Sequence, residues 1–172
     1  WQCFDDILRT FKAVQIKEPA ASLMVLTKDA QIVHEKCRIY KLKNVSTKYV
    51  PKESIGEELS KYKFGFILRN NILVNRVATP TKINSYMAAG VIPVISTCLV
   101  DFAYKNNGLR NIVWVDDLQD YEGNAVRIID FHYRQKSPEL ILDEYRQVFS
   151  NYYSKTSYVP RLINFFKSLQ HE

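Results

Sequence analysis

The hydrophobic pattern of this chain alternates between helical spacing and short solid apolar runs. Phe4, Ile7, Leu8, Phe11 and Val14 share one face at three-and-four spacing, which predicts a helix over about 3–17. Glu18-Pro19 breaks it, Ser22–Thr27 (SLMVLT) reads as a buried strand, and a helix follows through about Cys37. Arg38–Leu42 and Thr47–Val50 are weaker strand candidates, and Pro51 opens a further helix with Ile55, Leu59 and Tyr62 on one side.

Phe64–Leu68 (FGFIL) is a continuous apolar run of the parallel-strand kind, and a polar stretch, Arg69–Thr79, separates it from a helix over Pro80–Ala89. Here Thr79 is expected as the N-cap, Pro80 as the first helical residue, and Gly90 as the left-handed stop before a strand over Val91–Ile95. Ile112–Val115 is a last strand, and 117–170 is expected to be mostly helical. Strands of Val, Ile, Leu and Phe alternating with helices predict an α/β fold, a mainly parallel sheet with helices on both faces and a helical C-terminal tail.

Composition supports one packed domain over 1–172: the chain has 172 residues, 47% of them hydrophobic and 24% charged, with only 5 Gly and 6 Pro. Within it, 137–172 is expected to be a helical tail packing on the rest. The net charge of +6 comes from scattered Lys and Arg, which favours a phosphate-bearing ligand over a nucleic-acid groove. Cys3, Cys37 and Cys98 have no metal-ligand spacing, so no metal is expected, and reduced thiols in a cytoplasmic protein are the simplest account. No apolar run reaches membrane-spanning length. The chain opens at Trp1 and enters helical periodicity at once, which suggests a fragment of a longer protein.

Ligands of parallel sheets sit at the carboxyl ends of strands, near helix N-termini. That rule selects the loops Thr27–Asp29, Lys43–Pro51, Arg69–Lys82, Ser96–Asp101 and Asp116-Asp117. Arg69, Arg76 and Lys82 surround a helix start whose backbone N–H groups and dipole favour an anion. Arg69 directly follows a strand, where a guanidinium can fork onto phosphate or, alternatively, form a structural ion pair. A cation at Lys82 opposes the helix dipole, so either an ordinary first-turn lysine tolerates that cost or a ligand repays it. By helical spacing Lys82, Ser85 and Ala89 share one face, leaving Ile83, Tyr86 and Met87 toward the core. Asp101, Asp116 and Asp117 are suited to sugar or ribose hydroxyls or to capping the next helix.

Tyr62–Thr97, YKFGFILRNNILVNRVATPTKINSYMAAGVIPVIST, resembles group 1 glycosyltransferases of bacterial surface-polysaccharide synthesis, whose pattern is a strand ending in Arg, V-N-x-V-A-x-P-x-K, a helix reading E-Y, and G-x-P-V-I. The opening helix with PAASLMVLT, and KYVPKESIGEELSKYKFGF, resemble the same family more loosely. The resemblance implies the Rossmann-like C-terminal half of a GT-B enzyme, transferring sugar without a metal or cofactor from a nucleotide-diphosphate donor such as a UDP- or GDP-sugar. The acceptor is a saccharide or lipid-linked sugar held by a missing N-terminal domain, with a peripheral place at the inner membrane face as one location. It implies Arg69 and Lys82 as catalytic groups that stabilise the diphosphate leaving group. Asn75, Thr79, Pro80 and Thr81 then support the phosphates, Ser85 and Tyr86 lie by the nucleoside, and Tyr49 and Val50 near the base.

This chain departs from that family at two points. Many relatives carry glutamates eight residues apart where Val77 and Ser85 stand, and their Gly-and-Lys turn before the first helix is replaced by Trp1-Gln2-Cys3. A non-catalytic Rossmann-like phosphate-binding module is therefore the alternative expectation. A nucleic-acid-binding domain is a third, resting on net charge alone.

Overall fold

The computed structural model describes residues 3–78, 80–106, 108–134 and 137–169. The first helix, α1 (Phe4–Lys17), has Asp5 and Asp6 in its first turn and Lys17 in its last, matching the helix dipole. It buries Leu8, Phe11, Ala13 and Val14. Next come β1 (Leu23–Leu26), α2 (Ala30–Ile39) and β2 (Val45–Lys48). A 3-10 turn (Lys52–Ser54) leads into α3 (Ile55–Leu59), followed by β3 (Phe64–Ile67), a one-turn α4 (Leu73–Arg76), α5 (Thr81–Ala88), β4 (Ile92–Ser96), α6 (Val100–Lys105) and β5 (Val113–Val115). The chain ends in α7 (Tyr121–Tyr133), α8 (Pro138–Val148), a π-helical turn and α9 (Lys155–Ser168).

The protein is α/β, and every described strand pairing is parallel. The strands form two sheets rather than the single expected one: β1 with β2, and β3-β4-β5 with β4 in the middle. Every residue of β4 is buried. Pro93 is tolerated there because the alternation directs its position toward β5, whose pairing begins only at Val94.

One set of helices, α2, α1 and α7, is linked by side chains. Lys36 Nζ of α2 and the hydroxyl of Tyr40, just past its end, donate to Asp5 at 2.7 and 2.9 Å, and Tyr121 of α7 donates to Asp6 at 3.1 Å. A second set, α3, α5 and α8, packs in sequence, with α5 against β3 and β4. In the tail, α8 buries Ile141, Tyr145 and Val148, and Tyr145 Oη donates to the Asn111 carbonyl at 2.5 Å. In α9, by contrast, Leu162, Ile163, Phe165 and Phe166 are exposed.

Several boundaries differ from expectation. Arg38–Leu42 is not a strand: α2 runs to Ile39, and Lys41 takes a left-handed φ of 51°. The Leu42 amide bonds the Cys37 carbonyl and the Lys41 amide that of Arg38, a Schellman stop made without glycine. The second strand lies at Val45–Lys48, so Tyr49 and Val50 fall just beyond its carboxyl end. Pro80 is not the first residue of α5 but occupies the cap position, with extended ψ of 122°, and Thr79 lies outside the described residues. The stop at Gly90 holds, with φ of 73°, the Val91 amide on the Tyr86 carbonyl and the Gly90 amide on that of Met87.

Candidate functional site

The carboxyl ends of β3, β4 and β5 open into a cleft of about 500 Å³. Arg69, Arg76, Ser96, Thr97, Asp116 and Asp117 are among its lining residues. Parallel strands bring these positions together because every strand in this sheet ends at the same edge. The cleft thus carries guanidinium groups for an anion and carboxylates for hydroxyl donors.

Arg69 is the most buried of the charged residues here, only 7% exposed. Its backbone N–H donates to Ser96 Oγ at 2.8 Å and its carbonyl accepts from the Cys98 thiol at 3.4 Å, so the β4–α6 loop fixes the main chain of the arginine. Burial lowers its pKa, but guanidinium stays charged at any ordinary pH. Arg76 is steered by its Nε donating to Asn71 Oδ1 at 2.9 Å.

Lys82 occupies the first turn of α5 and is accessible to solvent, yet its pKa is lowered, first by desolvation and then by repulsion from Arg69. Two cations close enough to repel one another are brought together from either side of the α4 loop. A dianion between them would relieve that repulsion.

The other expected site residues are placed as follows. Asn75 is buried, and its amide donates to the Asn70 carbonyl at 2.8 Å, bracing the loop after Arg69. Pro80 is the cap residue before α5 and Thr81 is the first residue of the helix. Ser85 is exposed one turn beyond Lys82. Tyr86 is turned inward: its ring lies over Gly65 and its hydroxyl donates to the Phe66 carbonyl at 3.4 Å. Tyr49 is exposed, its ring capped by Lys28 Nζ at 4.9 Å from the centroid, on the β1–β2 sheet rather than at the cleft. Val50 follows it.

Asp117 makes a local turn, its Oδ1 accepting from the Gln119 amide at 2.8 Å, and the α7 cap is Asp120, which accepts from the Gly123 amide at 3.0 Å. Asp101 sits in the first turn of α6. Burial raises the Cys98 pKa, so its thiol stays protonated at neutral pH.

Sequence reasoning selected the loop Ser96–Asp101 but gave Ser96 no role of its own, whereas its hydroxyl holds the Arg69 backbone. The available signal was a serine closing an otherwise apolar strand. It also missed α6, whose Val100 joins the cleft lining. Among the described residues no group of three His, Cys, Asp or Glu side chains converges to hold a metal ion, and no helix is long and apolar enough to cross a membrane. Compared with known proteins, the chain matches no family profile, no curated protein and no solved structure.

Proposed function

We propose that this chain binds the diphosphate of a nucleotide-sugar and is the donor-binding half of a glycosyltransferase with a GT-B, doubly wound Rossmann-like fold. The observation that carries the reading is the convergence of Arg69 and Arg76 on a cleft at the carboxyl edge of a parallel sheet, with Lys82 in the first turn of α5 near enough for the charge of Arg69 to lower its pKa. The resemblance of Tyr62–Thr97 to group 1 glycosyltransferases supports it independently.

In this reading Arg69 and Lys82 hold the diphosphate and take up the negative charge that develops on it as the sugar–phosphate bond breaks. In this reading the two cations and the N–H groups at the start of α5 supply the positive field in place of a metal. Asp116 and Asp117 offer acceptors for sugar or ribose hydroxyls on the opposite rim. The acceptor sugar and the group that deprotonates it belong to a partner domain of the same enzyme. A cytoplasmic location, at the inner membrane face for a lipid-linked acceptor, fits a nucleotide-sugar donor.

Calorimetric titration with UDP and with GDP tests this. One nucleotide should bind, and Arg69→Ala and Lys82→Ala should each weaken it about 10- to 100-fold, the range for charge-assisted hydrogen bonds. Absence of binding by both nucleotides at millimolar concentration would overturn the reading.

One observation favours a second reading, a non-catalytic phosphate-binding module. Val77 is 69% exposed and Ser85 is exposed, so neither position presents the carboxylate that the family pattern places there. The two separate when the whole protein is given a UDP- or GDP-sugar: neither transfer nor hydrolysis, with binding intact, decides for the module.

A further inference from the structure

The last two helices of this chain differ in charge and in burial. Helix α8 carries Glu139, Asp143 and Glu144 beside Arg146, and it buries Ile141, Tyr145 and Val148. Helix α9 carries Lys155, Arg161 and Lys167 with no acidic residue, which amounts to half of the chain's net charge of +6. The packing that α9 makes is with the π-helical turn before it. Every residue of α9 whose exposure is described is exposed.

A helix standing free in water is expected to be polar all round, and α9 is not. Tyr158, Leu162, Phe165, Phe166 and Leu169 recur at three-and-four spacing and form one stripe, which Ile163 widens on one side. Phe165 is 56% exposed and Phe166 60%. By the same spacing Arg161 and Lys167 fall on opposite flanks of the stripe, with Asn164 and Ser168 between them on the far side. Lys155 stands in the first turn, where a cation opposes the helix dipole and an external anion would offset that cost.

The charge pattern selects what covers the stripe. Cations bordering an aromatic and aliphatic face can lay their stems along apolar material while their heads reach anionic headgroups, the arrangement of a helix lying on a membrane. A second copy of α9 would set like charges against one another. The face of this 14-residue helix is also small, about 21 Å long and 10 Å wide, against the roughly 800 Å² per partner of a stable protein interface. Spanning is ruled out for it, because no described helix is long and apolar enough to cross a membrane.

We infer that α9 is a membrane-surface helix, which lies in the plane of an anionic phospholipid bilayer with Leu162, Phe165 and Phe166 in the acyl boundary and Arg161 and Lys167 on lipid phosphates. The inference does not rest on the nucleotide reading, because neither the stripe nor its cations line the cleft.

Vesicle sedimentation of the whole chain tests it. The protein should bind vesicles of equimolar phosphatidylglycerol and phosphatidylcholine, and should bind pure phosphatidylcholine at least about 10-fold more weakly, since each basic residue near an anionic surface adds a factor of about five. Arg161→Gln with Lys167→Gln should weaken binding to the anionic vesicles about 25-fold. Phe165→Ser with Phe166→Ser should weaken it by at least about 10-fold. All four side chains are exposed, so these variants should keep the fold. Ile39→Ser removes a 72% exposed apolar side chain from α2 and should leave binding unchanged.

Phe166→Trp adds a probe at the centre of the stripe. With anionic vesicles its emission should move to shorter wavelength and be quenched by lipids brominated in their acyl chains, beyond any change in the parent chain, whose tryptophans are Trp1 and Trp114. Failure to bind anionic vesicles, equal binding to both kinds, or binding that survives both paired substitutions would overturn the inference. An equal loss in Ile39→Ser would spread the binding over the whole surface and overturn it as well. An emission shift that rises with protein concentration in the absence of lipid would assign the stripe to a second copy of the chain instead.

Discussion

The backbone N–H of Arg69 donates to the hydroxyl of Ser96 at 2.8 Å, and both residues are buried. This bond crosses from the end of β3 to the end of β4 just beyond their last paired residues, Ile67 and Ile95, and so holds the main chain of the arginine at the edge of the cleft. Ser96→Ala removes the acceptor and leaves a buried donor unsatisfied, which costs about 1–3 kcal/mol. Urea unfolding should show that loss, and nucleotide affinity should fall with it, since Arg69 would no longer be held. A variant as stable as the parent would mean that water or another group replaces the hydroxyl.

The legible parts of this fold were those with one dominant local cause. The stripe of Phe4, Leu8, Phe11 and Val14 and the solid run Phe64–Leu68 each point one way, and Gly90 ends α5 because its φ of 73° suits glycine. Where the cause is not written in residue type, the sequence misleads. Lys41 ends α2 in a left-handed conformation that residue type alone gives no reason to expect, so Arg38–Leu42 looked like a strand. Pro80 takes an extended ψ that puts it outside α5. The cations were visible because Arg69 and Lys82 bracket a helix start, whereas the role of Ser96 depends on a neighbour 27 residues away and is set only by strand register. The split into two sheets was equally hidden, because each strand looks interior by composition.

Lys82 should trade stability against binding. Its pKa is lowered by desolvation and by Arg69, so at neutral pH the charged form is held at a cost. The unfolded chain keeps the ordinary value near 10.5, and between the folded and unfolded values the unfolded state carries more protons. Stability from this group therefore rises with pH across that window. Lys82→Met should raise the melting temperature of the unliganded protein at pH 7 while weakening nucleotide binding about 10-fold. A variant that loses both would show that the ammonium braces the fold rather than a ligand.

Glu58 sets an acid limit on the α3 corner. Its carboxylate accepts from Lys48 at 2.5 Å, Lys61 at 2.9 Å and Tyr62 at 2.7 Å, which holds its pKa down at about 2. The folded value lies below the ordinary 4.5, so the stabilisation is complete above the ordinary value and is lost as pH falls through about 2. Glu58→Gln should lower the melting temperature at pH 7, and the gap to the parent should narrow steadily below pH 4.5. A gap independent of pH would assign the effect to packing rather than charge.

Gly65 is required by contact rather than by conformation. A Cβ built on it meets the Tyr86 ring at 2.5 Å, closer than real side chains approach, because Tyr86 lies flat on β3 to reach the Phe66 carbonyl. Gly65→Ala must push that ring off the strand, and overpacking of this kind costs about 1–3 kcal/mol. Pairing it with Tyr86→Leu, which shortens the opposing side chain, should recover part of the loss, giving a coupling that separate, independent sites would not show. Urea unfolding of the two single variants and the double variant measures that coupling. Simple additivity would mean that the ring can turn aside without strain, and that Tyr86 is free to swing toward the cleft.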